Sequence, residues 1–215
     1  MLLLQLLKIL GLIFKMTLLT GIGNIVGQAK GSPTILEVVD SLGFTNVQLV
    51  LDAGDYLSYP GTGQIWFDRV ANNNFYFGST AGVEITDPTF NGLAGQQSST
   101  EYFYNSDGTK YFTYINAFPN WLNNLHKNGQ TFTIFVWMNI PTVSPATKIN
   151  IFDTGADAGT GSTQEGIYLD ISASPSGTIK LFIDQGTSAA EQEVDGPSLA
   201  QIGWNLIGIS LTNQN

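Results

Sequence analysis

The chain has 215 residues, of which 43% are hydrophobic and only 12% charged, with a formal net charge of −9 and no cysteine. An acidic chain of this kind repels nucleic acid and anionic membrane, and no basic, aromatic-interleaved patch for a nucleic acid strand is present. Without cysteine there is no disulfide framework and no thiolate metal site, so the fold rests on packing alone, as suits a bacterial or viral protein.

The charge is unevenly placed. Lys8, Lys15 and Lys30 precede the first acidic residue, Glu37, so residues 1–36 carry +3 and the rest −12, which together make −9. The acidic balance serves solubility or draws Ca²⁺ to acidic loops.

Residues 1–14, MLLLQLLKILGLIF, are apolar on nearly every helical face, broken only by Gln5 and Lys8. The run falls short of the roughly 20 apolar residues a membrane-spanning helix needs. Lys8 interrupts it and no cationic start precedes it, which is poor signal-peptide grammar, although Gly27-Gln28-Ala29 offers a weak cleavage site. Three readings stay open: a signal or anchor; translation starting at Met16; or a helix that docks the protein on a larger assembly or makes a homo-oligomer. A helix apolar all round must be buried somewhere.

Residues 32–46 predict a short helix, with Ser32 as N-cap, Pro33 in the first turn, Glu37 near its start and Gly43 as the stop. Ile35, Val38, Val39 and Leu42 then share one face. The domain plan is an N-terminal apolar and helical extension over 1–46 and one β-rich domain over 47–215.

From residue 47 the hydrophobic period shifts towards two. Strands are predicted over 47–52, 64–68, 75–78, 101–104, 110–115, 131–140, 148–153, 166–172, 178–184 and 204–211. Turn chemistry separates them: Pro60-Gly61, Asn72-Asn73-Asn74, Asp87-Pro88, Asp107-Gly108 as a two-residue hairpin turn, Pro175-Ser176-Gly177 and Gly196-Pro197. Residues 116–128 read as a helix or irregular insert. With 24 glycines and 12% aromatics, the class is all-β.

The segments LVLDAGD (49–55), SYPGTG (58–63), Trp66-Phe67-Asp68 and Asn72-Asn73-Asn74 are followed by Asp87-Pro88-Thr89-Phe90-Asn91 and by Glu101 to Tyr104 with Ser106-Asp107-Gly108. Then come TFTIFVWM (131–138), Ile149 to Asp153, Gly166 to Asp170, Ile179 to Phe182, and Gly203 to Ser210. In this order they resemble the concanavalin A-like, laminin-G-like (LamG) jelly roll of bacteriophage virion and tail proteins. The resemblance implies a two-sheet antiparallel sandwich over 47–215. It also implies further closing strands after Asn213-Gln214-Asn215, as if the sheet were truncated there or completed by another chain. In the strand over 131–140, Phe132, Ile134, Val136 and Met138 share one face and Phe135 and Trp137 the other, so it is expected mid-core, apolar on both sides.

The same fold hosts glycoside hydrolases, which need two carboxylates flanking the scissile bond. No strand here presents such a pair: Asp170 has Ser172 at i+2, Asp153 and Asp184 stand at strand ends, and Glu191, Glu193 and Asp195 read as a solvated edge. His126, the sole histidine, reads as a surface residue, and no Gly-x-Ser-x-Gly elbow accompanies it. The chain is therefore expected to be non-catalytic.

Asp153 and Asp157 lie four apart across flexible glycines, and backbone carbonyls can complete an oxygen shell for Ca²⁺. Laminin-G-like modules often hold Ca²⁺ near the rim, which the resemblance makes relevant. Gln164 and Glu165 beside this loop can hydrogen-bond a sugar, and Tyr56, Tyr59, Trp66 and Trp121 are candidate stacking platforms. The resemblance implies a virion, tail or fibre component contacting host cell-surface carbohydrate or neighbouring virion proteins. A secreted bacterial carbohydrate-binding or adhesion module stands second, and a laminarinase-type hydrolase third.

Overall fold

Strands carry most of the regular structure in the computed structural model, which describes residues 33–96, 102–115, 121–127, 129–143, 145–154, 165–185, 192–199 and 202–212. Among the described residues all strand pairings are antiparallel, and one short α-helix stands near the start. The N-terminal segment, Asp157 and Gln164 lie outside the described residues. No helix among the described residues is long and apolar enough to cross a membrane. The chain divides into two units, Met1–Asn116 and Ala117–Asn215, and the division falls inside the stretch expected to form one sandwich.

In the first unit, helix α1 (Ile35–Ser41) starts two residues later than the sequence suggests. Its N-cap is Thr34, not Ser32. The Thr34 hydroxyl accepts from Glu37 N–H, and the Glu37 carboxylate accepts from Thr34 N–H. That reciprocal capping box fixes the boundary. Gly43, at φ 69°, ends the helix as expected.

Beyond it come β1 (Ile65–Trp66), β2 (Phe75–Phe77), β3 (Thr89–Asn91), β4 (Phe103–Asn105) and β5 (Phe112–Tyr114). β1, β2 and β5 form one sheet in that order, and β3 pairs with β4. The expected strand over 47–52 is not one. Its amides are taken by side chains, Val50 N–H by the Asp68 carboxylate and Asp52 N–H by the Ser58 hydroxyl, so no ladder forms. Nor does Asp107-Gly108 make a hairpin. The Asp107 carboxylate accepts from the Thr109 amide and hydroxyl in a local turn, but β4 and β5 pair with β3 and β2.

Rings hold this unit together. Tyr104 lies 4.7 Å from Trp66, 5.0 Å from Phe112, 5.1 Å from Phe77 and 5.5 Å from both Tyr59 and Phe90, centroid to centroid. Tilted and edge-on pairs of this kind add to burial through their ring quadrupoles.

The second unit holds β6 (Phe132–Ile140), β7 (Ile149–Asp153), β8 (Glu165–Ile171), β9 (Thr178–Gln185), β10 (Gln192–Ser198) and β11 (Gly203–Leu211). β6 pairs with β11 over their full length, and the other four form a sheet in the order β10-β9-β8-β7. The Pro175-Ser176-Gly177 turn joins β8 to β9, as its chemistry predicts. β10 runs through Gly196-Pro197, read from sequence as a separator; a register shift between Asp195 and Ser198 accommodates them, as an edge strand permits.

Among the described residues, the core of this unit has two clusters. Leu122, Leu125, Ile167, Leu181 and Ile183 form one, and Ile140, Ile171, Leu199 and Ile207 the other. Strands from the β6–β11 ribbon and from the four-stranded sheet contribute to both. Within the described part of the insert before β6, a 3₁₀ turn (Leu122–Asn124) sends Leu122 and Leu125 inward. His126 follows them and is only 6% exposed, so it is not the surface histidine expected from its polar neighbours.

Candidate functional site

The opening motif of the first unit is an architectural knot rather than a binding loop. Asp52 accepts from Ile35 and Gly54 amides, each at 2.8 Å, and Asp55 accepts from the Leu57 amide and from Arg69 Nε at 2.7 Å. Asp68 accepts from the amides of Val50, Val70, Ala71 and Asn73. Burial raises the Asp52 pKa, and the amides of Ile35 and Gly54 oppose that. These carboxylates do what backbone partners do elsewhere. Tyr59, a candidate stacking platform, is 5% exposed in the ring cluster, with its hydroxyl donating to the Gly63 carbonyl. It has no free face. Tyr56 is exposed, whereas Trp66 and Trp121 are half-buried.

Of the proposed Ca²⁺ pair, Asp153 stands exposed at the end of β7, and Asp157 is outside the described residues. Among the described residues no group of three or more His, Asp or Glu side chains can hold a metal. Glu165 opens β8 across from Gln185.

Two strand faces of the second unit turn away from its two core clusters. The first is the outer face of the β6–β11 ribbon. Register places Thr133, Phe135, Trp137 and Asn139 on it beside Ser210, Gly208, Leu206 and Trp204. Phe135 lies over Gly208, where a Cβ would meet its ring at 2.9 Å, and the Thr133 hydroxyl donates to Ser210 Oγ at 3.1 Å. Trp137 and Trp204 stand diagonally across the pair with rings 6.1 Å apart and only 8° from parallel. They are 50% and 37% exposed. β6 is thus apolar on both faces but covered on one. Its outer face, expected in the core, is open, because the ribbon packs on the four-stranded sheet through its other side. Neither strand carries a charged residue.

The second is the outer face of the four-stranded sheet. Asn150, Asp170, Lys180 and Asp195 align in one row across the four strands, and Asp153, Tyr168, Phe182 and Glu193 in the next. Tyr168 and Phe182 stack at 4.1 Å, Lys148 Nζ sits 5.1 Å above the Tyr168 ring, and Lys180 pairs with Glu193 and Asp195. Asp170 is 3% exposed, and its Oδ1 has no hydrogen-bond partner. Burial raises its pKa, against the pull of Lys148 and Lys180.

Neither face was legible as a site. Trp137 and Trp204 carry strand-core residue types, and only pairing shows that they meet. Asp170 stands alone in sequence, and only register brings Asn150 and Lys180 beside it. Compared with known proteins, the chain matches no family model, no curated protein and no solved structure.

Proposed function

We propose that this chain is a non-catalytic structural protein of a bacteriophage virion, a tail or fibre component with a concanavalin A-like jelly roll that contacts host-surface glycan. The observation that carries the contact is the open Trp137–Trp204 pair. Nearly parallel rings on an uncharged strand pair offer a flat apolar surface for the C–H face of a sugar. Asn139, Thr133 and Ser210 beside them are neutral hydrogen-bonding groups, able to donate to or accept from hydroxyls. Aromatic surface with neutral polar neighbours fits a saccharide better than it fits an anionic or cationic ligand. The order of the strand and turn motifs along 47–215, together with the antiparallel pairing, supports the fold and the virion setting.

The test is a glycan array probed with the full chain and with a Trp137→Ala/Trp204→Ala variant, each with and without EDTA. Binding lost in the double variant supports the reading, and loss with EDTA adds Ca²⁺ to it. A folded protein that binds no glycan removes the glycan contact and leaves a neighbouring virion protein as the occupant of this face.

A further inference from the structure

The Trp137–Trp204 platform continues along the ribbon, and the sign of it is a glycine. Gly208 sits mid-strand in β11, opposite Phe135 on β6. Glycine weakens a strand interior, and there it marks a bulge or a close approach. The β6–β11 pairing passes through Gly208 without a shift of register, so no bulge accounts for it. Its φ lies outside the left-handed region, so the backbone does not require glycine either. The close approach does account for it. A Cβ at 208 would stand 2.9 and 3.0 Å from Phe135 Cε1 and Cδ1, so the Phe135 ring occupies the space a side chain there would fill. Phe135 therefore leans onto β11, in line with Trp204 further back on that strand and with Trp137 between them. All three rings are exposed, Phe135 at 42%.

We propose that the ribbon takes an extended neutral glycan chain along its length and reads internal sugars across Phe135, Trp137 and Trp204, not a single sugar or a chain end. The inference rests on the glycan reading above and states the form of that glycan. Length decides it. Successive outward positions on a strand are roughly 7 Å apart, so the row from Phe135 to Trp204 covers roughly 14 Å, more than one pyranose ring spans. Neutral hydrogen-bonding groups stand at both ends of the row. Thr133 and Ser210, bonded to each other, lie beyond Phe135, and Asn139 lies beside Trp204. Positions 133 and 139 are about 20 Å apart on one strand, so only a chain reaches both ends. The rings meet the apolar C–H faces of successive sugars, and the end groups donate to or accept from their hydroxyls. Neither strand carries a charge to pair with a uronate, a sulfate or a free amine.

The experiment is calorimetry on the full chain with cello-, manno-, xylo- and chito-oligosaccharides. Each series is offered as the monosaccharide, disaccharide, trisaccharide and hexasaccharide, the last also with its reducing end converted to the alditol. The proteins are the wild type, Trp137→Ala/Trp204→Ala, Phe135→Ala and Gly208→Ala. At least one series is expected to bind, with affinity rising about tenfold or more from monosaccharide to hexasaccharide. The alditol is expected to bind as tightly as the unreduced hexasaccharide, since no chain end is read. Phe135→Ala is expected to weaken the hexasaccharide severalfold and to leave the disaccharide, which the tryptophans hold, unchanged. Gly208→Ala keeps the Phe135 ring but displaces it, so it is expected to show the same pattern and gives the answer should Phe135→Ala not fold. A monosaccharide bound as tightly as its hexasaccharide overturns the extended site, as does a hexasaccharide indifferent to both Phe135→Ala and Gly208→Ala. If that binding is still lost in the double tryptophan variant, the platform stands without the chain. No binding in any series by the folded wild type overturns both readings together.

Discussion

The Val50 N–H donates to Asp68 Oδ1 at 2.8 Å, a bond that spans eighteen residues of chain and holds the segment after helix α1 to the turn behind Trp66. The same carboxylate takes the amides of Val70, Ala71 and Asn73 at 3.2, 2.8 and 3.0 Å. One side chain therefore stands in for a missing strand partner and closes a turn.

Asp68→Ala is expected to destabilise the first unit by about 3 kcal/mol, because buried amides lose a charged acceptor and gain nothing. Asp68→Asn keeps one acceptor oxygen and is expected to cost less. Urea unfolding followed by tryptophan fluorescence measures both, and equal costs would mean that the charge is irrelevant.

Tyr104 is the hub of the ring cluster, yet its hydroxyl is buried with no partner, and burial drives its pKa upward. Tyr104→Phe keeps every ring contact and removes an unpaired polar atom, so it is expected to be neutral or to stabilise by up to about 1 kcal/mol. Tyr104→Ala opens a cavity among five rings and is expected to cost about 3–5 kcal/mol. A destabilised Phe variant in thermal melts would show that the hydroxyl has a partner after all.

Two carboxylates should pull the pH dependence of stability in opposite directions. Asp170 has a raised pKa, so its buried charge penalises the folded state above that value, and the penalty lifts as pH falls through it towards the ordinary 3.8. Asp170→Asn is then expected to stabilise at neutral pH by on the order of 1 kcal/mol. Glu84 is the reverse. The Thr80 and Ser79 hydroxyls, the Ser79 amide and the Thr86 hydroxyl hold its pKa down to about 2. Its contribution is complete above 4.5 and lost as pH falls towards 2. Melting temperatures from pH 2 to pH 7 should show a flatter acid limb in Glu84→Gln and a higher neutral plateau in Asp170→Asn.

Trp137→Lys and Trp204→Lys each break the stacked ring pair and are expected to cost about 0.5–1.5 kcal/mol, less than a core truncation. Ile207→Ala, opposite Val136 on the inward face, is expected to cost about 2–5 kcal/mol. A tryptophan cost as large as that of Ile207→Ala would place the outer face of β6 in a core.

Much of the local structure was legible in the sequence. Turn residues and alternating apolar positions placed most strands, and Gly43 marked the helix end, because such preferences are decided within a few residues. The capping box at Thr34 and Glu37 was also there to be read, as was the acceptor-rich LDAGD and WFD spelling. What no local pattern contains is the partner. That Asp107-Gly108 joins strands of different pairs, that Asp68 serves Val50, that one face of β6 is covered and the other open, and that Asp170 meets Asn150 and Lys180, were all decided by long-range pairing. Burial is a property of what lies opposite a side chain, and what lies opposite is chosen only when distant segments of the chain come together.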